Sequence, residues 1–187
     1  MSPKPPLLQC WGLILSLLGW LGGLVCCSLP WWKEILFRGS GLLLRHRSVE
    51  GLWITCSLPG KGKANCRLHS VPDADLPLDV RASRALTLAC LVSGLLGLVL
   101  QILGSRWCSC VSGNGTKRRL AAGGSCLCAL AGLALLLAVS WPAFILATEF
   151  DHPMITESLD VSLGACIYLG WAAGGALLLG GGAVLVG

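Results

Sequence analysis

The stretch Gly51-Leu52-Trp53-Ile54-Thr55-Cys56, followed by Cys66, decides how this chain is organised. It lies between apolar segments that are long enough to cross a bilayer, which requires about 20 mainly apolar residues. Cys56 and Cys66 are the only two of the 11 cysteines that lie clearly outside those segments on the predicted exterior side. Disulfides persist outside the cell, so we predict a bond here worth about 3 kcal/mol, with two free buried thiols as the alternative.

The composition is that of an integral membrane protein. The chain is 55% hydrophobic and only 12% charged, and its mean hydropathy of +0.76 lies outside the range of soluble domains. Four membrane spans are predicted, at residues 7–29, 85–104, 120–148 and 161–187. The apolar run of the first span is too long for the core of a cleaved signal peptide.

Charges in the shorter loops decide the predicted orientation. The loop 105–119 places Lys117-Arg118-Arg119 against the start of a span, whereas the loop 149–160 has four acidic residues and no Lys or Arg. The long first loop, 30–84, taken alone favours the opposite orientation, but short loops weigh most in the positive-inside rule. We therefore predict cytoplasmic termini, a cytoplasmic loop 105–119, and extracellular loops 30–84 and 149–160.

The signature residues of the first loop match a known family. Trp32, Gly51-Leu52-Trp53, Cys56 and Cys66 follow the pattern W, GLW, C, C of the claudins in order and spacing. The chain thus resembles the claudins, the four-span proteins of tight junctions, and the resemblance continues through Arg84 at the start of the second span. Peripheral myelin protein relatives share part of this signature.

The resemblance implies a single claudin-like domain over residues 1–187. Its fold is an all-α, left-handed transmembrane four-helix bundle that carries a small extracellular antiparallel β-sheet, with one strand from the second extracellular loop. Short apolar runs at residues 42–44 and 52–54, broken by glycines and prolines, are typical of the strands and turns of such a sheet. Trp32 and Trp53 are expected to seat the sheet on the outer leaflet, although alone they would indicate an interfacial aromatic belt.

The functional residues are inferred from the same resemblance. Claudins assemble side by side and across the intercellular gap, and their sheets line a path for ions without performing chemistry. The residue after the second signature cysteine is a recurrent determinant of selectivity, and here it is Arg67. We therefore predict a tight-junction barrier or pore that excludes cations or prefers anions. The residues expected to contact the opposing cell are Phe150, Pro153 and Met154.

The remaining predictions concern partners and modification. Cys108 and Cys110, at the inner mouth of the second span, are expected palmitoylation sites. The expected partners are other claudin-type molecules, in cis and in trans, and membrane lipid at the plasma membrane. No nucleic-acid partner, catalytic residue, cofactor or metal site is predicted. A PDZ scaffold is not supported because the sequence ends at Gly187.

Two alternatives stay open. Residues 71–77 contain two prolines and two aspartates, which disfavour the short helix by which claudins join their neighbours. This favours a peripheral-myelin-type four-span protein, active in adhesion or channel modulation, that forms no paracellular strands. A membrane thiol enzyme has only the cysteine count in its favour, because no base is paired with a cysteine.

Overall fold

The computed structural model describes residues 6–38, 45–59, 63–69, 77–111, 113–149 and 159–186. Within these ranges, four long apolar helices each have the length and composition to cross a membrane. The predicted fold class, a four-span helical bundle with a small antiparallel sheet, is confirmed, while its left-handedness stays a prediction. The elements in chain order are α1 Pro6–Ser28, β1 Lys33–Arg38, β2 Arg45–Glu50, β3 Ile54–Leu58, β4 Asn65–Leu68, α2 Leu78–Gly104, α3 Asn114–Glu149, β5 Leu159–Leu163 and α4 Ala165–Val186.

Small residues bring the helices of the bundle close together. A Cβ atom on Gly19 of α1 would lie 2.7 Å from the carbonyl oxygen of Ala173 in α4. A Cβ on Gly97 of α2 would lie 2.9 Å from the carbonyl oxygen of Gly124 in α3. The backbones of two helices can approach this closely only at residues without a side chain. Because lipid is as apolar as the helices, the hydrophobic effect does not drive their association, and close packing of this kind stabilises the bundle instead.

The sheet lies at the end of the bundle where α1 leads to α2 and α3 leads to α4. Its five strands are ordered β4-β3-β2-β1-β5, and every neighbouring pair is antiparallel. The second loop supplies β5, which pairs with β1 in a register that sets Val161 opposite Ile35. The expected strand from this loop is therefore confirmed, and β4 is left as an edge strand among the described residues.

Several boundaries differ from those predicted. The fourth span was placed from residue 161, but Val161 lies in β5 and the helix begins at Ala165, because the edge of β1 offers hydrogen-bond partners to this segment. Helix α2 begins at Leu78, directly after Pro77, so its 27 residues reach about 40 Å, which exceeds the hydrocarbon core. Leu52 and Trp53 form a turn rather than a strand, because their side chains pack beneath the sheet.

Candidate functional site

Trp32 fastens the first strand to the end of α1. Its indole N–H donates a hydrogen bond of 2.8 Å to the carbonyl oxygen of Cys26. Its backbone N–H donates one of 2.9 Å to the carbonyl oxygen of Glu50 in β2. The side chain is 4% exposed and belongs to the main hydrophobic core, so this signature tryptophan joins the sheet and the bundle from within.

The turn between β2 and β3 requires glycine at position 51. The backbone N–H of Gly51 donates to the carbonyl oxygen of Ile54 at 2.9 Å and closes the turn. A Cβ atom at this position would lie 2.4 Å from the Cα atom of Pro30 and 3.0 Å from the carbonyl oxygen of Leu29. These are backbone atoms that cannot rotate away, so a side chain here would push the turn off the end of α1. Leu52 follows and is buried in the core.

Arg84 connects α2 to this turn. Its Nε atom donates a hydrogen bond of 2.7 Å to the carbonyl oxygen of Leu52, and its guanidinium group lies 4.7 Å from the centre of the Trp53 ring. The indole N–H of Trp53 points in turn at the sulfur of Cys27 in α1, at 3.4 Å. A planar cation that both stacks and donates suits this position, because a buried charge is tolerated when its donors are used.

An ion pair that the sequence did not predict lies beside this turn. The ammonium group of Lys33 in β1 lies 3.0 Å from a carboxylate oxygen of Asp79 in the first turn of α2. The pair lines a cavity of about 40 Å³ between the sheet and the bundle, together with Glu50 and His69. Pro77 followed two residues later by Asp79 was the available signal, since this pattern marks a helix start.

Gly164 is a second contact residue that the sequence did not single out. A Cβ atom there would lie 2.0 Å from the carbonyl oxygen of Trp31. The backbone N–H of Gly164 donates to the carbonyl oxygen of Trp32 at 2.9 Å, and that of Cys166 donates to the carbonyl oxygen of Trp31 at the same distance. The end of β5 and the start of α4 are thereby held against the start of β1.

Arg67 lies on an exposed strand that is covalently anchored. Cys56 and Cys66 are cross-strand partners in β3 and β4 and form the predicted disulfide, which is confirmed. Arg67 follows directly and pairs in register with Thr55. All four residues of β4 are exposed, and Arg67 has no ion-pair partner among the residues that the structure describes.

A different arginine of the sheet is neutralised. Arg47 in β2 forms an ion pair with Glu34 in β1. The register places Arg47 opposite Leu58, two residues from Cys56, whereas Arg67 pairs with Thr55, so the two arginines occupy opposite faces of the sheet. Of these two cations, Arg67 alone presents a charge that no described carboxylate offsets.

The predicted palmitoylation sites lie at the opposite end of the bundle. Cys108 is partly exposed and Cys110 is exposed, in the loop between α2 and α3. The backbone N–H of Cys110 donates toward the sulfur of Cys108, and this bond, with a second from the Cys110 thiol, lowers the pKa of Cys108. The pKa of Cys110 is raised because its thiol proton is held in that hydrogen bond. Lys117 donates to the carbonyl oxygen of Cys108 at 2.6 Å.

Some predicted residues lie outside the described part of the chain. Phe150, Pro153 and Met154 fall in residues 150–158, and most of the predicted weak helix at 71–77 falls in residues 70–76. The apolar run at residues 42–44, which was expected to contribute to the sheet, also lies outside the described residues. Among the residues that are described, no group of three or more His, Cys, Asp or Glu side chains is arranged to hold a metal ion.

Together these features define a class of protein: a four-span membrane bundle that carries a disulfide-stapled sheet, seated through a buried tryptophan and an arginine from the second helix. The sequence model of the PMP-22/EMP/MP20/Claudin family matches residues 6–184 of this chain. Claudin-6 of Homo sapiens is 38% identical over 175 residues, which cover 94% of this chain and 79% of the relative. Claudin-9 of Homo sapiens is 39% identical over 166 residues, 89% of this chain and 76% of the relative.

Claudin-4 of Homo sapiens is 35% identical over 175 residues, which cover 94% of this chain and 83% of the relative. The chain therefore belongs to the PMP-22/EMP/MP20/Claudin family, as the residues of its first loop indicated. Its relatives point to a multi-pass membrane protein of tight junctions that acts as a structural barrier component rather than as an enzyme.

Proposed function

We propose that this protein forms a paracellular barrier that excludes cations, with the charge of Arg67 exposed along the path between cells. The observation that carries this proposal is the position of Arg67 on an exposed edge strand, next to the disulfide and without an offsetting carboxylate among the described residues. Because the disulfide and the β-ladder fix its backbone, the charge is held at a defined place rather than on a mobile loop.

The proposed orientation puts the sheet outside the cell and both termini inside. Two features at opposite ends of the bundle support it. The disulfide lies in the sheet, and disulfides persist in the oxidising exterior. Lys117, Arg118 and Arg119 lie in the first turns of α3, at the other end, as the positive-inside rule expects for a cytoplasmic loop.

The proposed partners are further claudin-type molecules, in the same membrane and in the opposing one. For contact across the gap we propose Phe150, Pro153 and Met154 of the second loop, on the family resemblance. At the cytoplasmic end we propose S-acylation of Cys108 and Cys110. The lowered pKa of Cys108 supports that modification, because the thiolate is the nucleophile in acyl transfer.

The effect of Arg67 on ions is set by Coulomb's law. One charge about 5 Å from a passing ion in water contributes about 0.8 kcal/mol, which is about a fourfold bias. Reversing the charge doubles the change, to about 15-fold, and a narrower path with a lower effective dielectric constant increases it further. A single arginine in each subunit is therefore sufficient for a measurable preference where subunits converge.

The test is the sodium-to-chloride permeability ratio, measured from dilution potentials in a leaky epithelial layer that expresses the protein. We expect Arg67→Asp to raise the ratio strongly and Arg67→Gln to raise it less. Arg47→Gln is the matched control, because Arg47 lies on the other face and is paired with Glu34. An unchanged ratio in Arg67→Asp contradicts the role of Arg67. Absence of strands in freeze-fractured transfected fibroblasts contradicts the barrier itself and favours the peripheral-myelin-type alternative.

A further inference from the structure

Two cysteines from opposite ends of the sequence meet at the sheet end of the bundle. Cys26 lies near the end of α1 and Cys166 near the start of α4, and their exposed fractions are 0% and 1%. The thiol of Cys26 donates to the backbone carbonyl oxygen of Cys166 at 3.1 Å. A sulfur of α1 thus lies against the backbone of the first turn of α4, at the residue that carries the second thiol.

The end of α1 and the start of α4 pack closely against each other at this point. A Cβ atom on Gly170, one turn after Cys166, would lie 3.4 Å from the sulfur of Cys26. The thiol of Cys166 points toward the carbonyl oxygen of Leu29, just past the end of α1, at 3.9 Å. Each sulfur therefore lies against the other helix's end, and a disulfide requires such facing side chains on closely spaced backbones.

The Cys26–Cys166 pair lies directly beneath the residues that join the sheet to the bundle. The carbonyl oxygen of Cys26 accepts the indole N–H of Trp32, and the backbone N–H of Cys166 donates to the carbonyl oxygen of Trp31. Cys26 is thus hydrogen-bonded to Trp32 and Cys166 to Trp31, the two residues that lead from the bundle into β1. This is also the end of the molecule that carries the oxidised pair in the sheet.

We propose that Cys26 and Cys166 form a redox-active dithiol that closes to a second, interhelical disulfide and clamps α1 to α4 beneath the sheet. The oxidant is a small peroxide, since both sulfurs are buried and only a small uncharged molecule can reach them. The proposal does not depend on the barrier function.

The chemistry is a two-electron oxidation in two steps. The sulfur of one cysteine attacks a peroxide oxygen, the O–O bond breaks, and the products are a sulfenic acid and water. The sulfur of the second cysteine then displaces the hydroxyl group of the sulfenic acid, which leaves as water with the thiol proton. In sum, two thiols and one hydrogen peroxide give one disulfide and two waters, and a dithiol reductant reverses the sulfur oxidation by exchange.

Neighbouring thiols of the same core provide the comparison. Cys27 accepts the indole N–H of Trp53 and is adjacent to Cys26 in the chain, and Cys90 of α2 is equally buried. Of these three thiols, the thiol of Cys26 is the one that donates to the backbone of Cys166, at 3.1 Å. The geometry therefore selects Cys166 as the partner of Cys26.

The test is peptide mapping of the purified full-length protein in lipid nanodiscs. Samples are taken as isolated without reductant and after hydrogen peroxide, and free thiols are then blocked with N-ethylmaleimide in denaturant. We expect a cross-linked peptide containing Cys26 and Cys166 in monomeric wild-type protein, lost after reduction. Cys90→Ser, the matched control, should retain it, and Cys166→Ser should lose it.

Three results would overturn the proposal. The first is recovery of both thiols fully alkylated at a peroxide dose that oxidises the exposed Cys110. The second is a link from Cys26 to Cys27 or Cys90 instead. The third is a cross-linked protein whose thermal unfolding midpoint equals that of protein which keeps the Cys56–Cys66 disulfide but lacks the Cys26–Cys166 link, since a clamp between α1 and α4 must raise it. The mapping is done on wild-type protein, so the test stands even if a variant fails to fold.

Discussion

Replacement of Arg84 by lysine tests how the sheet is held on the bundle. Arg84 is 8% exposed, and it donates to the carbonyl oxygen of Leu52 at 2.7 Å while its guanidinium group stacks 4.7 Å from the Trp53 ring centre. A hydrogen bond from a charged donor contributes about 1.5–3 kcal/mol, and a cation–π contact about 0.5–2 kcal/mol. Lysine keeps the charge but cannot both stack on Trp53 and donate to Leu52. We therefore expect the free energy needed to separate this turn from the bundle to fall by about 1–3 kcal/mol.

The measurement is the alkylation rate of Cys27 in native protein. Cys27 is 7% exposed beneath Trp53, so a reagent reaches its sulfur when Trp53 and its turn move away from the bundle. A loss of about 1–3 kcal/mol increases the open population, and hence the rate, by about 5- to 150-fold. Arg81→Lys is the control, because Arg81 is exposed on the same helix one turn earlier. Equal rates in the two variants would refute the reasoning.

Three further predictions concern single residues. Gly51→Ala should lower the thermal unfolding midpoint in micelles, because its Cβ would lie 2.4 Å from the Cα atom of Pro30, and an unchanged midpoint would contradict this packing. Cys66→Ser should lower the free energy of unfolding of the sheet by about 3 kcal/mol on the chain-entropy model. The measurement is protease sensitivity, and reduced wild-type protein should be as sensitive as the variant. Because the pKa of Cys108 is lowered and that of Cys110 is raised, Cys108 holds more thiolate at a given pH. As the pH rises, its alkylation should therefore reach a plateau before that of Cys110, and the reverse order would contradict the hydrogen-bond assignment.

The residues outside the described ranges bear on two of the sequence-based predictions. The contact residues of the second loop and the weak helix after Cys66 both concern how molecules meet one another. Their roles stay predictions, and the permeability and freeze-fracture experiments address them through the assembled barrier. The sheet and its seat, in contrast, can be tested on the isolated protein.

The sequence by itself determined the class of the molecule, because the signals for it are local. Runs of apolar residues of membrane length predicted four spans, and the described part of the chain contains four helices of that kind. The pair Cys56 and Cys66 predicted a disulfide, and the resemblance to claudins implied the sheet that carries it; the structure confirms both. Residue type and spacing were enough for the spans and the disulfide, since each of these signals depends on neighbours only a few positions away.

Only the tertiary structure decided how these parts are joined. Lys33 meets Asp79, Arg84 meets Leu52, and Cys26 meets Cys166 across 46, 32 and 140 positions of sequence. No pattern in the chain specifies such meetings, because they depend on the packing of helices and on where each helix ends. The start of α4 at Ala165 shows the same limit, because an apolar segment can continue a helix or add a strand to a sheet. Here residues 159–163 form a strand because they pair with the edge of β1.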